Sequence, residues 1–229
     1  MMKKITMIFI TILLVASAKP MTFSGLGNSI TQELSSHIIK RAYLHIGIDA
    51  KFMFLPGDRA LLHANSGVVD GEISRIKRIS QKFTNLLLVP VKINSIEAGF
   101  FTKDSRIHIE KWEDLKNYRF VIVQGSKFIE KKTKKFHPFV TKSHKIAFDM
   151  LAANRTDIIV VSKLTGLFYL SKNLYPDIKP LNVSLIKLPL YHFIHKKNKK
   201  LLPQITKAFQ DMASKGEIQK IYDSFIKFR

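Results

Sequence analysis

Cysteine is absent from all 229 residues. That excludes a disulfide framework, a thiolate metal site and a lipid-modified cysteine at an export cleavage site. Acidic residues are scarce, 17 against 38 Lys and Arg, so the formal charge is +21. Long apolar runs are scarce as well. Beyond the first residues no stretch approaches the roughly 20 apolar residues that span a bilayer. Catalytic signatures are missing too: there is no P-loop, no Gly-x-Ser-x-Gly elbow and no close carboxylate pair. Gly25-x-Gly27 lacks the third glycine of a dinucleotide loop. His192-x-x-His195 on a predicted strand puts its rings on opposite faces, which is poor geometry for one metal.

What is present begins with an export pattern. Lys3-Lys4, the apolar run Ile5 to Val15 and the small residues Ala16-Ser17-Ala18 are the three parts of a signal peptide. Cleavage is expected before Lys19, leaving a soluble, periplasmic chain with a charge of +19. Such a charge suits nucleic acid, an anionic membrane face or an anionic small molecule. Export argues against nucleic acid, and the lysine runs at 131–135 and 196–200 lack interleaved stacking aromatics. A solvated face is the plainer reading of each run, with membrane attraction the other.

The chain reads as alternating strands and helices. Phe52 to Leu55 is an apolar strand ending at Pro56-Gly57, Asp58 is placed to cap a helix over Ala60 to Ala64, and Gly67-x-x-Asp70-Gly71 turns into a strand carrying Glu72 and Arg75. Upstream, Ile30, Leu34, Ile38 and Ala42 form a helical stripe after a cap at Asn28 or Ser29, with Gly47 as the stop. Downstream, Leu86 to Val91 reads as a buried strand, punctuated by Pro90, that runs into Ile93 to Phe101. Then the pattern repeats: strand Phe120 to Val123, the turn Gln124-Gly125-Ser126 opening a helix, a helical stripe of Ile146, Ala147, Met150 and Leu151, Asn154 in the left-handed conformation at its end, Asp157 and strand Ile158 to Val161. Ser184 to Leu188 and Tyr191 to Phe193 return the chain to two amphipathic helices around Leu202 to Met212 and Ile218 to Phe225. Asp70 and Asp157 are expected to hold turns, Trp112 to pack within a lobe and Glu72 to face solvent.

This order of markers resembles the periplasmic solute-binding proteins of ABC transporters, in the family 3 branch of polar amino-acid binders. The markers are Gly67-x-x-Asp70-Gly71, Trp112-Glu113-Asp114-Leu115, Leu151-Ala152-Ala153-Asn154-Arg155-Thr156-Asp157 and Gly216-Glu217-Ile218 before an aromatic-rich last helix. The resemblance implies two α/β lobes joined by a two-segment hinge, with residues 19–97 and 194–229 in the first lobe and 98–193 in the second. It implies a monomer without a cofactor that closes on a small solute and presents it to an inner-membrane permease or sensor. A periplasmic enzyme on the same scaffold is the alternative, and a non-transporting ligand sensor is another.

The implied ligand site lies beyond the carboxyl ends of the strands. Ser126, where a strand turns into a helix, is either a ligand contact or an ordinary cap, and Ser24 holds the matching place in the first lobe. Arg75 has a guanidinium fork suited to a carboxylate or phosphate, or it belongs to a basic surface run. Arg59 is either a cleft residue or the first exposed residue of its helix. Where amino-acid binders carry an aspartate for the ligand ammonium, this chain has Ser162. An anionic solute without an obligatory amino group is therefore expected.

Overall fold

The computed structural model describes residues 19–56 and 58–227; the expected leader, residues 1–18, and the Gly57 turn lie outside them. Strand β1 (Met21–Leu26) leads through Asn28, at a positive φ of 54°, into α1 (Ile30–Leu44). Ser29 caps that helix by accepting from Gln32 N. The apolar stripe of α1 falls on the first-lobe core, where Leu34, Ile38 and Ile39 are fully buried against Phe23 and Phe209. Gly47, at φ 72°, turns the chain into β2 (Ala50–Leu55), which runs parallel to β1. Next come α2 (Arg59–Asn65) and β3 (Gly71–Arg75), the latter between β1 and β9 (Lys187–His195).

The molecule's long element is β4 (Leu86–Thr102), one strand of 17 residues. The stretch expected to run from Leu86 to Val91 into Ile93 to Phe101 is this single strand, and at the Pro90 punctuation its ladder with β9 skips between Leu88 and Lys92 and resumes. Pro90 lies in that irregular step and is exposed, so its missing N–H costs the ladder no bond. From Leu86 to Glu97, β4 pairs with β9; from Ala98 to Phe101 it pairs with β7 (Ile158–Ser162). The partner changes between Glu97 and Ala98, and there one sheet system passes into the other. The expected boundary at 193/194 falls inside β9, whose first residue, Lys187, pairs with Glu97 at this exchange.

The second lobe repeats the first. Strands β5 (Phe120–Val123) and β6 (Phe139–Thr141) continue the sheet beyond β7, joined by α3 (Lys127–Thr133) and a short 3₁₀ segment, Lys134–Phe136. Helix α4 (His144–Ala152) ends at Asn154, whose φ of 56° is the expected left-handed stop. The two turn aspartates do the same work: Asp70 Oδ2 accepts from Thr22 N at 2.9 Å, and Asp157 Oδ2 accepts from Arg119 N at 2.9 Å. Each ties the start of one strand to the entry of the neighbouring one. Helix α5 (Lys163–Ser171) packs against α1 and α7 (Glu217–Lys227), and its Leu164 joins the first-lobe core. The short pair Lys179–Pro180 (β8) and helix α6 (Leu202–Ser214) complete the chain. Trp112 packs in the second-lobe core, its ring 5.5 Å from Phe100.

Candidate functional site

The carboxyl end of β3 carries the most unusual chemistry. Glu72 is fully buried, contrary to the solvent-facing position expected from alternation. The reason lies in the packing around the strand: β3 is an interior strand between β1 and β9, and helices α1 and α2 pack over it, so its burial does not alternate. Arg75 Nε donates to Glu72 Oε1 at 2.7 Å. Ser24 Oγ lies 2.7 Å from Ala60 O and 3.1 Å from Glu72 Oε2. A hydroxyl has one proton, and the shorter contact takes it to the Ala60 carbonyl. A protonated Glu72 can then donate to Ser24 Oγ in return. The electrostatics agree, because burial pushes the Glu72 carboxyl up to about 7 against the pull of the Arg75 charge and its hydrogen bonds.

Arg75 itself is only partly satisfied. Its side chain is 18% exposed, and Nη2 is buried without a hydrogen-bond partner. Nearby, Gln32 Nε2 donates to Ser74 O at 2.8 Å, while Gln32 Oε1 is buried and unpartnered. Orphaned buried polar atoms of this kind are few in folded proteins and call for a water or ligand. The strand is held from behind by His192. Its Nδ1 faces the carbonyls of Glu72 and Ile73 at 2.9 and 3.1 Å, so it carries the proton, and Nε2 accepts from the Tyr43 hydroxyl at 3.0 Å. Both nitrogens are satisfied in the neutral ring, and burial pulls its pKa down to about 4.

The predicted site residues divide into groups. Ser24 and Arg75 meet through Glu72, although Ser24 is fully buried and bonded within the protein. Ser162 is half-buried before α5, next to Lys163, whose Nζ reaches Glu97 Oε1 at 3.0 Å. Glu97 also faces Lys187 at 3.7 Å, so a carboxylate sits between two cations where β4 changes partners. Ser126 is half-buried at the start of α3 with no side-chain capping bond. Arg59 is exposed at the start of α2, and Asp58, although at the cap position, makes no capping bond. No described contact joins Arg59 or Ser126 to the Glu72 and Arg75 cluster. Glu72 and Glu97 are the two residues that sequence reasoning missed. The signal for Glu97 was its place at the predicted hinge; for Glu72, only its spacing of three from Arg75. Among the described residues no group of His, Asp and Glu is arranged to hold a metal.

This two-lobe α/β arrangement is also found in solved structures. An ancestral cationic amino acid solute-binding protein superposes with a TM-score of 0.73 at 15% identity, over 91% of this chain and 96% of that one. The chain has the type II periplasmic-binding fold. The L-cystine solute receptor of Neisseria gonorrhoeae, in its unliganded open conformation, shares this fold at a TM-score of 0.70 and 14% identity, covering 91% and 93% of the two chains. So does a histidine kinase sensor domain with similarity to periplasmic binding proteins, at 0.65 and 14%, covering 91% and 96%. These proteins are described as binding, receptor or sensor proteins. No protein-family model and no curated sequence matches this chain.

Proposed function

We propose that this chain is an exported binding protein that closes on a small anionic solute and presents it to an inner-membrane permease. The observation that carries this reading is the Arg75 guanidinium at the end of β3, with Nε on Glu72 and Nη2 buried without a partner. A solute carboxylate or phosphate would satisfy the open edge of that fork. When Glu72 holds its proton the guanidinium is not neutralised, and the site carries net positive charge. Ser162, in place of a carboxylate, offers a hydroxyl where an ammonium would need a charge. Ser126 at the head of α3, with Arg59, supplies further positive potential from the two lobes. A ligand sensor is the second reading, favoured by the likeness to the histidine kinase sensor domain.

Native mass spectrometry of freshly purified protein identifies a retained solute, and calorimetric titration then measures its affinity. Losing one partner of a buried charge pair costs roughly 2–5 kcal/mol, so Arg75→Ala is expected to weaken binding well over tenfold. Arg75→Lys, which keeps the charge without the fork, should recover only part of it. Unchanged melting of both variants would keep the comparison on binding. A cationic or neutral solute bound best by the wild type, or undiminished binding by Arg75→Ala, overturns the proposed ligand class.

A further inference from the structure

In a regular strand, residues three apart point to opposite faces. Glu72 and Arg75 nevertheless meet, because the ladder of β3 on β9 shifts register between them and brings the guanidinium back to the carboxyl. Glu72 is thereby a fully buried acid with one cationic partner. Its Oε1 takes the proton of Arg75 Nε, and its Oε2 faces Ser24 Oγ, whose own proton goes to Ala60 O. Nη2 of Arg75 is left buried and open.

An anion bound at Nη2 would place two negative groups on one guanidinium. Away from bulk water the lower-energy state of such a set carries a proton on one of the acids. Glu72 is the acid already prepared for it, since Ser24 Oγ waits as an acceptor beside Oε2. We propose that Glu72 determines the selectivity of this site, the anion entering together with one proton from solvent that settles on Glu72 Oε2. The proton is then donated to Ser24 Oγ, Oε1 remains the acceptor of Arg75 Nε, and the charges of solute and guanidinium balance. With Glu72 ionised, Arg75 is already neutralised and an anion is held weakly. The inference rests on the reading of Arg75 as the solute's partner. It agrees with the burial that pushes the Glu72 carboxyl up to about 7, and a neighbouring anion raises it further.

The other ionisable groups around β3 do not take this role. Strand β1 has none. Helix α2 brings Arg59, which is exposed, and His63; α1 brings Glu33 and Tyr43, the latter bonded to His192. On β9, His192 is neutral against the carbonyls of Glu72 and Ile73, and Tyr191 is level with Arg75, with Lys92 of β4 beyond it. Among the described residues the partners of the Glu72 carboxyl are Ser24 and Arg75, and Arg75 is the charge that acts on it.

Calorimetric titration with sulfate, L-lactate and dimethyl phosphate, all of which keep a constant charge between about pH 6 and 9, tests the coupling. The Kd is expected to hold steady below about pH 6 and to rise several-fold per unit above about 7.5. In weakly buffered solution at about pH 8, binding should take up more than half a proton per anion, against almost none at about pH 6. Glu72→Gln, which cannot ionise, should lose both the slope and the uptake. An infrared difference spectrum of the wild type at about pH 8, sulfate-bound minus free, should gain the C=O band of a protonated carboxyl, a readout that does not depend on the variant folding. A flat affinity profile, no proton uptake or no new carboxyl band overturns this inference and leaves Arg75 as the anion site. A slope that survives in Glu72→Gln also overturns it, since His63 or another group would then be titrating. If none of the three anions binds even at about pH 6, the anion reading of Arg75 fails, and this inference falls with it.

Discussion

At the scale of single residues, two buried groups titrate in opposite senses. Glu72 is raised to about 7 in the folded chain, so folding favours its protonated form. Its contribution is complete below the unfolded value near 4.5 and is lost as pH rises through 7, a change of about 3 kcal/mol. His192 is lowered to about 4, so its contribution is lost as pH falls from about 6.5 through 4. Between about pH 5 and 6.5 the two slopes oppose each other and nearly cancel. Glu72→Gln keeps a hydrogen-bonding side chain beside Ser24 but no longer titrates. Denaturant unfolding across this range should therefore show stability of the variant rising relative to wild type with pH, by roughly 1.4 kcal/mol per unit. Parallel pH profiles for the two proteins would mean that Glu72 ionises normally, and that the proton placed between it and Ser24 is wrong.

At the scale of elements, a close fit decides against local propensity. Gly166 lies inside α5, where alanine would ordinarily be favoured by about 1 kcal/mol. A Cβ there would lie 2.0 Å from Phe101 Cζ, and Phe101 is fully buried with no room to withdraw. Overpacking of this kind costs typically 1–3 kcal/mol or more, so Gly166→Ala is expected to lower the melting temperature despite its better helix propensity. A stabilised variant would show that α5 can slide off β4. Much of this layer is legible in the sequence. The four-residue stripe of α1 and the amphipathic α6 and α7 read directly, because each helix has one covered face. The paired turns at Asp70 and Asp157 are legible as a repeat, since each needs a short acceptor at the same step. The run of β4 past Pro90 is legible too, but the register skip that accommodates the proline is not. Nor is the burial of Glu72, which is set by the helices that pack over β3, a long-range fact absent from the local pattern. Arg75 is legible as a candidate from its side chain alone, whereas its pairing with Glu72 depends on that burial.

At the scale of the whole molecule, the two lobes are more tightly joined than two tethered domains. Strand β4 runs unbroken from one sheet into the other. Glu97 is held by Lys163 from the second lobe at the point of exchange, and Leu164 is packed into the first-lobe core. Separating the lobes on unfolding would expose Leu164 and break the ladder of β4, so the lobes should melt together. The single tryptophan makes this measurable. Trp112 reports on the second-lobe core, while far-ultraviolet circular dichroism reports on both lobes. Their urea transitions are expected to coincide, as two-state unfolding requires. A bound solute should move both by the same amount, about 2.7 kcal/mol at a concentration of 100 Kd, because it stabilises only the folded whole. Scattering should show compaction under the same conditions, and the recovered solute should be chemically unchanged. If tryptophan fluorescence moves at lower urea than circular dichroism, the second lobe unfolds alone. The contacts of Leu164 and Glu97 would then be too weak to couple the lobes, and closure would have to be driven by the ligand with no help from the joined sheet.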